Sequence, residues 1–238
     1  MRKIFIILFT IVPVFLFAQE RITWSYPVKP RTDEWNSLKT ENERINAMQI
    51  PKEVLNKMST SDLIDACINF PLFGYYSAFN SPLEGFNIMF SRFNVFHKIC
   101  EKDSVGQYFI KIYSDATMKG WEKLDNKFDN EFWTLKLAYI EYLISQKEII
   151  YKLNEPEKFE LLKIARTKFY QKKTHESFNS IPGISSSLLL MSRILYFDMV
   201  RSSLPEQKNV QNFIETGVLN DAEVIDEILN STEQYLTR

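Results

Sequence analysis

Apolar side chains recur through most of this chain at three- and four-residue steps, and that spacing restricts it to helices that each bury one face. The clearest stretch runs from Pro82 to Glu101. Phe86, Met89, Phe90, Phe93, Phe96, His97 and Cys100 fall on one side, and Glu84, Asn87, Ser91, Asn94, Lys98 and Glu101 on the other. Its start is also written. Ser81 can cap, Pro82 suits the first helical position, where a missing N–H costs nothing, and Glu84 completes a Ser-x-x-Glu capping box. The spacing predicts one continuous helix over 82–101.

The same reading places helices at Pro51 to Met58, at Ser61 to Phe70 behind Ser59 or Thr60, and from Val105 to Ala116. The longest is expected from about Asp129 to Leu153. Its polar stripe is narrow, essentially Thr134, Glu141, Ser145, Glu148 and Lys152, so it belongs in the middle of the fold. Further helices are expected near Pro156 to Lys172, Ile184 to Val200, Pro205 to Thr216 and Asn220 to Tyr235, with Gly217 as a C-terminal cap. No stretch alternates with period two between turn signals, so almost no sheet is expected. The fold class is therefore all-α: an irregular array of antiparallel helical hairpins, loosely solenoid-like, without an alignable repeat. Residues 19–35 differ, with Pro27, Pro30, no helical period, and Trp24, Tyr26 and Trp35; they read as an extended arm packed on the body or offered to a partner.

The first residues have the three parts of a secretory signal: Arg2 and Lys3, an apolar run from Ile4 to Phe17 broken by Thr10 and Pro13, and Ala18 as the cleavage residue. That run is shorter than the ~20 residues a permanent span needs. Residues 1–18 are thus expected to be removed, leaving 19–238 as a single helical domain in the periplasm or outside the cell. Neither cysteine lies at the cleavage region, which excludes a lipid-modified N-terminus. The 29 basic residues fall to 27 without Arg2 and Lys3, against 30 acidic ones, so a nucleic-acid or anionic-membrane partner is not expected. Ser187 to Val200 is too short to span a membrane and contains Arg193 and Asp198. Cys67 and Cys100 are expected to be free thiols, because an antiparallel hairpin of their two helices would hold them ~20 Å apart.

From Tyr26 to Phe96 a set of words occurs: Tyr26-Pro27-Val28-Lys29-Pro30, then Thr32 and Trp35, Gln49-Ile50-Pro51, Met58-Ser59-Thr60, Pro71-Leu72-Phe73 and Phe79-Asn80. They resemble the N-terminal half of a group of secreted bacterial proteins without an assigned activity. Where that pattern has Gly before Thr32, this chain carries Arg31. The resemblance implies export and helicity over about a third of the chain, and it implies no catalytic residue.

The chemistry-bearing residues are sparse. His97 and His175 lack the spacing of zinc ligands. His97, on the apolar side of its helix, reads as a core-edge residue and His175 as a loop residue. Gly183-Ile184-Ser185-Ser186-Ser187 lacks the second glycine and the strand of a nucleophile elbow, and reads as a helix start capped by serine. Asp125, Asp129 and Glu131 are the densest acidic group and read as the cap and first turn of the long helix. The segment Leu72, Phe73, Tyr75, Tyr76 and Phe79, bent at Gly74, is too apolar for an ordinary loop. It reads as packing between helices or as an aromatic platform. These residues are expected to make a non-enzymatic binding module for a protein, peptide or glycan, with Trp24, Tyr26, Trp35, Tyr75 and Tyr76 as its candidate contacts and no cofactor or metal. A hydrolase of envelope polymers acting through carboxylates and a structural envelope component are the alternatives.

Overall fold

A computed structural model describes residues 21–116, 127–174, 181–198 and 204–237, with 127–132 and 181–182 as backbone alone. The expected cleavage site, Asp125 and His175 lie outside the described residues, as do the side chains of Asp129 and Glu131. The described chain is all helical, and no strand occurs in it. In order come α1 (Asp33–Ser37), α2 (Glu41–Ala47), α3 (Lys52–Leu55) and α4 (Thr60–Ile68), a 3₁₀ turn (Phe73–Ala78), then α5 (Pro82–Arg92), α6 (Asn94–Cys100) and α7 (Gly106–Asp115). The second half holds α8 (Lys127–Ile144), α9 (Lys147–Ile150), α10 (Glu155–Thr174), α11 (Ile181–Phe197), α12 (Lys208–Thr216) and α13 (Glu223–Leu236). No described helix is long and apolar enough to cross a membrane.

Several helix starts are fixed by side chains that satisfy otherwise unpaired N–H groups. Thr40 with Glu43 and Ser59 with Asp62 make full capping boxes. Ser81 accepts from the Glu84 N–H at 3.1 Å, but the expected return bond from the Ser81 N–H to the Glu84 carboxylate is not made. At the other end of α12, Gly217 takes the left-handed conformation (φ 76°) and its N–H reaches the Phe213 carbonyl at 2.7 Å, as a C-terminal cap does.

Two helices expected to be continuous are broken, each where polar side chains replace the ladder. The 82–101 stretch parts at Phe93, which is extended (φ −117°, ψ 125°). The Gln49 carboxamide spans the break, donating to the Arg92 carbonyl at 2.9 Å and accepting from the Asn94 N–H at 2.9 Å. The Asn94 carboxamide in turn closes both backbone groups of Ile50, at 3.1 and 2.8 Å. The resulting turn of α6 leaves His97 exposed instead of at the core edge. It also lays α6 antiparallel against α4, with Cys67 Sγ 3.9 Å from the Val95 carbonyl at one end and Lys102 on the Met58 carbonyl at 3.1 Å at the other, so the cysteines sit toward opposite ends of the pair. Both thiols are free, and burial pushes the Cys67 pKa well up, with the nearby Cys100 adding to it. The second break, at Ser145 and Gln146, ends α8 at Ile144. There the Ser145 carbonyl accepts from Arg193 Nε at 2.6 Å, and Gln146 donates back to the Tyr142 carbonyl at 2.7 Å.

The core centres on α11 and the second half of α8, where residues 183–195 and 137–146 are buried on every side. Helices α8 and α10 flank α11, and α13 covers it further along. The 3₁₀ turn lies tightly on α5 because residue 85 is glycine: a Cβ there would stand 2.4 Å from the Tyr76 carbonyl oxygen. This close approach carries Tyr76 into the core among Phe86, Tyr139 and Tyr142, at ring separations of 5.2, 6.4 and 5.1 Å.

Candidate functional site

The extended arm is shorter than expected, since helix α1 already begins at Asp33. From Ile22 to Val28 its side chains alternate: Ile22, Trp24, Tyr26 and Val28 turn toward the body, while Thr23, Ser25 and Pro27 face solvent. Trp24 meets Tyr26 edge-on at 6.1 Å, Tyr26 meets Phe70 at 5.5 Å, and the Tyr26 hydroxyl donates to the Ala66 carbonyl at 3.3 Å. Arg21 adds ion pairs to Asp65 and, at 3.7 Å, to Asp62. The arm ends in a turn closed by the Thr32 N–H on the Lys29 carbonyl at 3.3 Å. Arg31 sits in that turn with φ 70°, the left-handed conformation that glycine adopts without strain.

Between this arm, the segment Asn69 to Gly74 and the middle of α8 lies a cavity of about 880 Å³. That volume is in the range of pockets that hold small organic ligands. Trp24, Tyr26, Phe70 and Phe73 supply its aromatic lining. Among the described residues its charged lining consists of Lys29, Arg31 and Lys136, with no Asp or Glu. The Lys136 ammonium donates to the Ile68 carbonyl at the end of α4 and stands 4.6 Å over the Phe73 ring. Burial lowers its pKa from 10.5 to about 8. The Trp24 indole Nε1 is buried and has no hydrogen-bond partner among the described residues.

Of the five candidate aromatics, only Trp24 and Tyr26 line this cavity. Tyr76 is core, and its hydroxyl reaches the Leu135 carbonyl at 3.4 Å. Tyr75 is half-buried against Phe79 at 5.1 Å, and its hydroxyl accepts from Arg92 at 3.5 Å. Trp35 lies under the Arg44 guanidinium at 5.4 Å. Lys136 was not anticipated, although a signal was present: a lysine three residues after Trp133 and four before Ile140 falls on an apolar helix face. The exposed Tyr151 and Tyr196 flank Phe197 at 5.4 and 5.1 Å and do not line the cavity.

A second polar group lies inside the core. Glu141, fully buried, accepts from Tyr113 at 2.6 Å and Ser187 at 2.7 Å on one oxygen, and from Lys172 and Ser186, both at 2.5 Å, on the other. The Lys172 ammonium also reaches Ser186 and Ser187 at 3.2 and 2.9 Å. Burial lowers the Lys172 pKa while Glu141 opposes the shift. The polar stripe of α8 thus points inward at Glu141 and Ser145. The serines are not caps either, because α11 starts before them at Ile181 and turns Ser186 and Ser187 onto Glu141. Serine beside lysine is a nucleophile–base pairing in principle. Here Glu141, Lys172, Ser186 and Ser187 each have no more than 1% exposure, and every ammonium contact is already taken by the group itself, so this group is a structural tie. Among the described residues, no three His, Cys, Asp or Glu side chains come together to hold a metal ion.

Comparison of the chain with family models, curated proteins and solved structures gives no match.

Proposed function

We propose that the protein is exported and acts in the periplasm or outside the cell as a non-enzymatic binding module, with a peptide or glycan seated in the cavity between the arm and the 69–74 segment. The observation that carries this reading is the cavity itself. It has aromatic walls and cations that no carboxylate of the described residues neutralises. A few polar groups placed among apolar walls are the usual make-up of a ligand site. The N-terminal signal pattern supports export.

The test begins with protein recovered from the periplasm or medium of an expressing bacterium, whose intact mass should correspond to a chain starting at or near Gln19. That protein is then probed on peptide and glycan arrays beside Trp24→Ala. A ligand lost in the variant, with helix content unchanged by circular dichroism, supports the reading. Full-length chain in the membrane fraction overturns export, and array ligands that bind the variant equally well overturn the site.

A further inference from the structure

Resting on that binding reading, we infer that the cavity's occupant is an acidic peptide, taken in extended form alongside the arm. Two independent features of the site lead there. The first is its charge. Among the described residues, Lys29, Arg31 and Lys136 line the cavity and no Asp or Glu does. Two of these cations are kept against the stability of the fold. Arg31 holds a left-handed backbone that glycine would adopt at lower energy, and Lys136 is desolvated beside a carbonyl and two rings. Strain and desolvation gathered on the cations of one cavity are characteristic of a site shaped for a ligand.

The second feature is the arm's backbone. Residues 21–28 are extended, alternate inward and outward, and make no backbone–backbone hydrogen bond among the described residues. An extended segment with open N–H and C=O groups is a template for strand addition, in which main-chain bonds give affinity and alternate side chains give specificity. The exposed Asn69 carboxamide, across the cavity from the arm, can take a further amide pair. A glycan would leave this backbone edge unused. A peptide uses the edge and the cations together, its carboxylates falling toward Lys29, Arg31 and Lys136.

Isothermal titration of the mature chain tests this with four probes. They are a blocked heptapeptide alternating valine with glutamate, its glutamine and lysine counterparts, and tri-galacturonate. The glutamate peptide should bind one per chain and weaken as salt is added. The glutamine and lysine peptides should bind at least about tenfold more weakly. Arg31→Gly and Lys136→Met should each weaken glutamate-peptide binding by about tenfold or more while leaving the melting temperature unchanged or raised, an outcome a merely structural role would not give. Should either variant fail to fold, Lys29→Ala, at an exposed position, carries the charge test. Equal affinity for the glutamine peptide overturns the acidic assignment and leaves a binding module standing. Binding of tri-galacturonate with none of the peptide overturns the peptide assignment and likewise leaves the module. Absence of binding by all four probes overturns the inference, while the array comparison with Trp24→Ala decides the broader reading separately.

Discussion

At the scale of single residues, the two buried lysines differ in what answers their charge, and their substitutions should differ accordingly. Lys172 is matched by Glu141, so Lys172→Met leaves a carboxylate buried with only hydroxyl donors. A loss of about 3–5 kcal/mol in urea unfolding is expected, as for other buried pairs broken on one side. Adding Glu141→Gln to that variant should recover much of the loss, because the amide oxygen still accepts from Tyr113 and Ser187 and the amide N–H can donate to the Ser186 hydroxyl, without a charge. A Lys172→Met variant as stable as the parent would show that the ammonium is not the partner the carboxylate needs. Lys136 has no such answer among the described residues. Its pKa is about 8 when folded and 10.5 when exposed, so between those values the unfolded chain holds a proton the folded one has released. Its contribution to stability is therefore full above 10.5 and is lost as the pH falls through about 8. The parent should gain stability relative to Lys136→Met as the pH rises from about 8 toward 9; the raised thiol and phenol groups are present in both proteins and cancel in the difference. A flat difference between the two denaturation series across that window would rule out the desolvated state of Lys136.

At the scale of elements, the break at Phe93 depends on two carboxamides rather than on any feature of Phe93. Asn94→Ala would leave both backbone groups of Ile50 unpaired, at a cost of about 2 kcal/mol. For a chain of this size that is a fall in melting temperature of about 4–8 °C. Gln49→Ala should cost a similar amount, and the double variant less than the sum, because the two side chains close one junction. A shift under about 1 °C for Asn94→Ala would mean that other contacts hold the junction. The break explains where helical periodicity misleads. Phe86, Met89, Phe93 and Phe96 keep their three- and four-residue spacing and all are buried, so the pattern is truthful about the core and silent about continuity. Ser145 and Gln146 hid the second break in the same way, since the groups that receive the ladder's ends, such as Arg193, stand far off in sequence. The caps at Ser59, Ser81 and Gly217 were legible because each acts on residues within one turn of itself.

At the scale of the whole molecule, the helical class and most helix positions follow from local periodicity, whereas the cavity does not. Its wall joins residues 23–31 to 69–74 and to Lys136, separations that no window along the chain spans. The arm's aromatics and the aromatic bend could each be recognised, but not that Tyr76 would be withdrawn into the core while Phe70 and Phe73 lined one cavity with Trp24 and Tyr26. That division depends on Gly85, which lets the 3₁₀ turn press against α5. The tie around Glu141 has a different reach, for its members come from α7, α8, α10 and α11. On a chain delivered from its N-terminus, Tyr113 and Glu141 emerge well before Ser186 and Ser187. Until those serines arrive the carboxylate keeps its water, because dehydrating it without its donors is unfavourable. The tie thus acts as an ordering device, postponing closure of the core until the last third of the chain is present. For a protein exported as proposed, this would suit passage through the membrane as an open thread that locks only on the far side.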